Sequence, residues 1–156
     1  MRKLMICLGL LTSLAWPAPA QRTSAPAQAA GVSDQLIQQV LEPLRTGMQS
    51  QNIDRVLSVF DRTEMHSASD LEANLRALFQ QTSEVDLRYQ LLQVTANKDR
   101  ASATVEMQMD ALPYEATQFA MRRNTQMRLQ LKLGPKGWKI AAFAPADFFN
   151  VEYSAR

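Results

Sequence analysis

The sequence predicts an α+β domain in which three N-terminal helices pack on one face of a curved antiparallel sheet. Apolar residues recur at helical spacing from residue 36 to residue 79, and from residue 85 onward they alternate with polar ones. This change of period, from about 3.6 to 2, occurs once along the chain. Helices followed by strands are typical of an α+β fold with a sequential antiparallel sheet, covered by helices on one face only.

The first 20 residues are predicted to be a cleavable signal peptide. Arg2 and Lys3 provide a positively charged start, and an uncharged, mostly apolar stretch follows over residues 4–16. This stretch is shorter than the roughly 20 residues that a membrane-spanning helix needs. Ala18 and Ala20 have the spacing that a signal peptidase recognises. We therefore expect a periplasmic or secreted protein that is cleaved near Ala20, with no membrane span afterwards.

The rest of the chain is interpreted as a single domain with short extensions. Residues 21–31 are rich in Ala, Gln and Ser and are expected to form a flexible linker. The domain is expected to cover residues 32–150, followed by a C-terminal tail over residues 151–156. Cys7 is the only cysteine and lies in the signal peptide, so the mature domain is expected to contain no disulfide.

Charge argues against a nucleic-acid partner. The 156-residue chain has 17 Lys and Arg residues against 15 Asp and Glu residues. Removal of Arg2 and Lys3 with the signal peptide leaves 15 basic residues against 15 acidic ones. A nucleic-acid-binding domain normally carries a basic excess, and the mature domain has none.

Three helices are predicted before residue 82. Ser33 is expected to be the N-cap of the first helix, and Pro43 is expected to kink or break it. The second helix is expected to start at Ile53 or Asp54 and to bury Phe60. A polar loop separates it from the third helix. The third helix is expected to begin at a serine cap and to bury one apolar face, formed by Leu71, Leu75, Leu78 and Phe79.

Four strands are predicted after the helices. The pair Leu91-Leu92 breaks the alternation of the first strand, as a β-bulge would. The last strand is apolar at nearly every position, which indicates burial on both sides or a second bulge. Turn residues occupy positions 97–100 and 134–137. The predicted strands cover residues 85–96, 101–110, 119–133 and 138–144.

Two segments give the sequence its resemblance to a known fold family. Asn52-Ile53-Asp54 leads into Val59-Phe60, and residues 137–143 read Gly-Trp-Lys-Ile-Ala-Ala-Phe. With the order of elements, these segments resemble the nuclear transport factor 2-like superfamily, which includes ketosteroid isomerases and polyketide cyclases. The resemblance covers roughly residues 33–149. It implies a cone, or cystatin-like roll, in which the sheet curls around a pocket, and it implies that dimerisation through the sheet is common.

The alternation indicates which side chains would line such a pocket. One parity of the strands is almost entirely apolar, and nearly every strand charge falls on the other parity. On the apolar parity, Tyr89 brings a hydroxyl, and Arg123 is expected near the mouth of the cone. This pattern favours an apolar pocket or a filled core over an acid–base centre. The predicted lining residues are Phe60, Tyr89, Met107, Met109, Met127, Trp138 and Arg123.

Other candidate sites have simpler interpretations. His66, the only histidine, could act as a base but is expected to be a solvated loop residue. The methionines at 107, 109 and 127 could bind Cu(I), but methionine more often fills core space. Tyr89 and Trp138 could stack on a flat ligand or simply pack the core. Arg122 and Arg123 could hold an anion or form surface ion pairs. No catalytic residue, metal or cofactor is predicted.

Three functions follow as hypotheses. The first is an exported, non-enzymatic binding or scaffold protein that holds a small apolar ligand in the cone or presents its sheet to a partner. The second is an isomerase-like or cyclase-like enzyme that uses Tyr89 with a carboxylate, for which Asp61 and Asp147 are the candidates. The third is an interaction module with a filled core. The polar face of the sheet is expected to be solvated or to form a homodimer.

Overall fold

A computed structural model describes residues 25–115 and 120–151 and confirms the α+β prediction. The helical part consists of α1 (Ala25–Leu36), a π-helical turn (Ile37–Leu41), α2 (Glu42–Gln49), α3 (Ile53–Leu57) and α4 (Ala68–Gln81). The sheet consists of β1 (Thr82–Asn97), β2 (Arg100–Pro113), β3 (Met121–Gly134) and β4 (Gly137–Ala144), followed by a short 3-10 helix (Ala146–Phe149). The predicted signal peptide lies outside the described residues, as do Phe119 and residues 152–156.

The first predicted helix runs continuously through α1, the π turn and α2. It begins at Ala25, so the prediction of Ser33 as its N-cap is wrong. Alanine has the highest helix propensity, and alanines extend the helix into the segment that was predicted to be a linker. The interruption expected at Pro43 takes the form of the π turn immediately before α2. Because proline lacks an N–H and collides with the carbonyl four residues earlier, a widened turn accommodates it.

The segment after α3 differs from the prediction. The Asn52 side chain caps α3 by accepting a hydrogen bond from the Arg55 amide at 2.9 Å. The helix then ends at Leu57, so Phe60 does not lie on it. Phe60 instead forms a parallel bridge with Ile140, in which the Asp61 amide donates to the Ile140 carbonyl at 2.8 Å. This bridge covers part of the outer edge of β4.

The sheet is an antiparallel meander in the order β1-β2-β3-β4. The predicted bulge at Leu91-Leu92 is confirmed, because the register shifts between Leu91 and Gln93. A second bulge lies in β4, where Gln130 pairs with Ala142 and Leu131 with Ile140, leaving Ala141 as the extra residue. This bulge explains the unbroken apolar run of the last strand. Bulges bend and twist a sheet, so they contribute to its curvature.

Helices cover the inner face of the sheet and form one core with it. The first helix is fixed to the start of β4 by two glutamines. The Gln39 side-chain oxygen accepts from the Trp138 amide at 3.0 Å, and the Gln35 oxygen accepts from the indole N–H at 3.1 Å. Gly137 is required here because its φ is +98° and a β-carbon would collide with Gln39. Phe148 and Phe149 of the 3-10 helix are also buried in this core.

No helix within the two described ranges is long and apolar enough to cross a membrane.

Gly47 allows α2 to approach α3 closely, which gives a test of the packing. A β-carbon at this position would lie 2.8 Å from Val56 Cγ2 and 2.9 Å from the Val56 amide nitrogen. We expect Gly47→Ala to lower the free energy of unfolding by about 1–3 kcal/mol, because the backbone of α3 must move. Urea unfolding followed by circular dichroism measures the change.

Gly31→Ala is the matched control, since nothing lies within 4 Å of a β-carbon there and the residue is helical. It should raise the free energy of unfolding by about 0.5–1 kcal/mol through helix propensity alone. Equal effects of the two substitutions would contradict the close approach of α2 and α3.

Candidate functional site

The deep part of the cone is filled with side chains. Met107 and Met127 are each 1% exposed, and Met109 is fully buried. These three side chains are therefore surrounded by other protein atoms. Phe60 and Trp138 are also buried, at 4% exposure each. Five of the seven predicted lining residues therefore belong to the packed core.

Tyr89 lies on the inner face but is only partly buried. Its hydroxyl donates a short hydrogen bond to Glu42 Oε1 in α2. The second carboxylate oxygen of Glu42 accepts from Arg45 NH2 at 2.7 Å. The three side chains form a chain from the sheet to the first helix, and the Glu42 side chain is 41% exposed. The hydroxyl that was predicted as the polar group of a pocket is thus already bound to a carboxylate of the protein.

These contacts move the pKa values of the two acids apart. The hydrogen bond from Arg45, and then that from Tyr89, lower the pKa of Glu42 below its usual range. Burial, with the hydrogen bond to Glu42 as the second cause, raises the pKa of Tyr89 to about 12. At neutral pH the pair is therefore a phenol bound to a charged carboxylate. A carboxylate with a lowered pKa is a weak general base.

The two carboxylates proposed as partners of Tyr89 lie elsewhere. Asp61 Oδ1 accepts hydrogen bonds from the hydroxyl and the amide of Thr63 in the loop after α3. The hydroxyl bond is the main reason why the pKa of Asp61 is lowered. Asp147 lies in the 3-10 helix that follows β4. Neither carboxylate has a hydrogen bond to Tyr89 within the described part of the chain.

Arg123 fastens the C-terminal segment to the sheet. One guanidinium nitrogen donates to the Phe148 carbonyl at 2.5 Å and to the Asp147 carbonyl at 3.3 Å, and the other donates to the Asn150 carbonyl. Burial lowers the pKa of the guanidinium. Arg123, for which an anion and a surface ion pair were the two alternatives, instead donates to backbone carbonyls at the end of the 3-10 helix.

Arg122, the neighbour of Arg123, points to the other face of the sheet. Its Nε donates to Asp110 at 2.5 Å, and Arg88 reaches the same carboxylate at 3.3 Å. The expected surface ion pair is therefore present for Arg122. His66 is exposed in the loop before α4, as predicted.

Two contributors to this region were missed at the sequence level. Glu42 was overlooked because it precedes a proline inside a helix, and strand parity says nothing about which helix residues reach the sheet. The role of Arg123 was missed because its partners are backbone carbonyls, which every residue has and which a sequence therefore does not distinguish. One signal was available: Arg123 is a charged residue near the end of a strand, on the face of that strand that is otherwise apolar.

Comparison with solved structures identifies the fold. A nuclear transport factor 2-like superfamily protein from Salmonella enterica aligns over 73% of this chain and 89% of its own, with a TM-score of 0.63 at 12% identity. A ketosteroid isomerase-like protein from Erwinia carotovora atroseptica aligns over 76% and 94%, with a TM-score of 0.54 at 15% identity. A type 2 hexachlorocyclohexane dehydrochlorinase aligns over 73% and 84%, with a TM-score of 0.57 at 14% identity.

These likenesses establish that the chain has the nuclear transport factor 2-like fold, as its sequence indicated. The identities are low, so the likenesses concern the fold and not the activity. No protein-family model and no curated protein matches the sequence.

The contact between Tyr89 and Glu42 makes a prediction about alkaline pH. The fold holds the phenol protonated, so its contribution to stability is present below its ordinary pKa of 10.0 and is lost as pH rises through about 12. Glu42→Gln should lower the pKa of Tyr89 towards 10.0, and Arg45→Gln should raise it further. Phenolate absorbance, read as the difference from the Tyr89→Phe version of each variant, measures these shifts. Shifts in the same direction would contradict the proposed arrangement.

The contacts of Arg123 make a second prediction. Arg123→Leu removes the donor from the carbonyls of Phe148 and Asn150, and we expect a loss of about 1–3 kcal/mol in the free energy of unfolding. Amide hydrogen exchange at residues 149–151 should become faster. Arg122→Leu is the control, since it breaks only an exposed ion pair and should cost less than about 1 kcal/mol. Unchanged exchange in Arg123→Leu would refute the fastening role.

Proposed function

We propose that this protein is exported and acts without catalysis, binding a partner through its surface rather than a substrate inside the cone. The observation that carries this proposal is the filled interior at Met107, Met109 and Met127. A substrate or an apolar ligand of ordinary size needs a cavity of roughly 300 Å³ or more. These three methionines, which were predicted to line such a cavity, are buried in the core cluster.

The placement of the ionisable groups supports the same proposal. An acid–base enzyme keeps a titratable group in a desolvated site with a pKa near the working pH. The pKa values of Glu42, Asp61 and Glu64 are all lowered by hydrogen bonds. Each of these carboxylates accepts from its neighbours at or near the protein surface.

The surface that we propose for binding is the outer sheet face, defined by Glu106 and Asp110 of β2 and by Arg122 and Arg128 of β3. Glu106 and Asp110 form a short acidic row on β2 beside the basic row on β3, and Asp110 pairs with Arg122 across the strands. At the other end of β2, Arg100 lies opposite Lys132, and both contact Glu64. The acidic and basic rows are self-complementary when two copies meet about a two-fold axis. The mature chain has no net charge to oppose association. The proposed first partner is therefore a second copy of this chain.

Export is part of the proposal and rests on residues 1–20. The positive start, the short apolar stretch and the two small residues before Gln21 are the features that support it.

The second candidate function is an isomerase-like or cyclase-like enzyme. The contact that favours it is the hydrogen bond between Tyr89 and Glu42, which brings a carboxylate within reach of the phenol. Two observations count against it. Arg45 holds the carboxylate in its charged form, and the carboxylate is 41% exposed.

Native mass spectrometry of protein exported from the full-length gene tests the proposal. We expect a mature chain that begins at Gln21, a dimer that weakens with added salt, and no small molecule released on denaturation. Arg128→Glu should lower the dimer fraction, because it places an acidic residue in the basic row.

Arg55→Glu is the matched control, an equal charge change at an exposed site on α3 away from the outer sheet face. Extra mass that leaves on denaturation would overturn the filled cone and favour a ligand carrier. A chain that retains residues 1–20 would refute export. A monomer at all concentrations, or equal effects of the two variants, would refute the outer sheet face as the binding surface.

A further inference from the structure

A cleft of about 380 Å³ lies on the outside of the cone, between the segment after α3 and the β3–β4 hairpin. We call it the hairpin cleft, and Leu57, Ser58, Phe60 to Thr63, Lys132, Gly134 to Gly137 and Lys139 line it. Its volume is in the range of small-molecule sites. The hairpin cleft is separate from the deep interior of the cone and from Tyr89.

The hairpin cleft carries a local excess of positive charge, whereas positive and negative charges are nearly balanced in the chain as a whole. Its lining includes the four cations Arg62, Lys132, Lys136 and Lys139 and a single acid, Asp61. Because the mature chain is neutral as a whole, this local excess is not a reflection of composition.

The two lysines of the hairpin strands stand directly opposite each other. Lys132 of β3 pairs with Lys139 of β4 in the sheet register. Like charges at directly opposed positions destabilise a sheet. Pairings that break a local rule of this kind occur preferentially at functional sites.

The surrounding protein offsets this charge only in part. Lys132 donates to the Glu64 carboxylate and Arg62 to the Glu72 carboxylate, so two of the four charges are neutralised. Lys139 donates to the Ser58 carbonyl, which carries only a partial charge. Lys136, at the exposed tip of the turn, makes no hydrogen bond or ion pair within the described ranges.

The rest of the lining is mostly carbon. Its apolar residues are Leu57 and Phe60, which are 6% and 4% exposed, and Pro135, which is exposed in the turn. The methylene stems of the lysines add apolar surface while their ammonium groups reach the rim. A concave apolar surface with a few charged groups at the rim fits a ligand that has an apolar body and an anionic head.

We propose that the hairpin cleft binds a small organic anion, with the anionic head between Lys136 and Lys139 and the apolar body against Pro135 and the lysine stems. The anion would be the negatively charged partner that neither Lys139 nor Lys136 has in the free protein. This inference is independent of the proposed function, because it needs neither a filled cone nor a dimer.

Two dyes of matched shape provide the test. 1-Anilinonaphthalene-8-sulfonate carries an apolar body with a sulfonate, and N-phenyl-1-naphthylamine has the same body without it. We expect the sulfonate dye to bind the mature protein with saturable fluorescence, more weakly as salt is added. Lys136→Glu should weaken its binding by about tenfold, because one attractive charge is replaced by a repulsive one. The uncharged dye should bind weakly, and equally to the native protein and to Lys136→Glu.

Arg128→Glu is the control with the same charge change on the outer sheet face, and it should leave the affinity for the sulfonate dye within about twofold. Lys136→Glu should in turn leave the dimer fraction unchanged, so the two proposals can fail separately. Lys136 is in an exposed turn, and circular dichroism will establish that the variant is folded. Equal binding of the sulfonate dye to the native protein and Lys136→Glu, or equal binding of both dyes, would overturn the proposed site.

Discussion

The structure depends on one constraint, which is that the inner face of a four-stranded sheet must be covered by helices on that side alone. The first helix crosses this face and is fixed to β4 by the hydrogen bonds of Gln35 and Gln39 to Trp138. Bulges in β1 and β4 contribute to the bend of the sheet, which brings its inner face round towards the helices. The space that remains is filled by methionine, whose flexible side chain adapts to irregular gaps.

Because the cone is filled, the groups that could bind a partner or a ligand lie on the surface of the protein. Tyr89 is held by Glu42, and Arg123 is held by the carbonyls of the 3-10 helix, so these two polar side chains of the inner face stabilise the fold. Two charged surfaces are the ones that we propose for binding. One is the outer sheet face, where acidic and basic rows lie side by side, and the other is the hairpin cleft, where positive charge is in excess. The same fold hosts many activities, so these surfaces say more about function than the fold does.

Much of the fold could be predicted because it depends on periodicity. The alternation along β1 and β2 placed Val85, Leu87 and Val105 on the buried face, and the break at Leu91-Leu92 located a bulge. The helix start was predicted wrongly, because Ser33 has the chemistry of a cap while the alanines before it also favour a helix. Phe60 was assigned to α3 because its spacing fits a helix, whereas bonding to Ile140 places it at the edge of β4.

The site was less predictable than the fold. Parity indicated which residues face inward, but it could not distinguish side chains that line a cavity from side chains that fill one. The contact of Glu42 with Tyr89 joins residues 47 positions apart, and the hairpin cleft depends on how the segment after α3 meets β4. Long-range placements of this kind follow from packing and not from local pattern.

The filled cone is the central claim, and urea unfolding of Met107→Trp tests it most directly. Met107 is 1% exposed on the inner face, so a larger side chain has no space to occupy. We predict a fall of about 1–3 kcal/mol in the free energy of unfolding, at an unchanged dependence on urea. An unchanged or increased free energy of unfolding would mean that the indole enters an existing cavity, and it would contradict the filled cone.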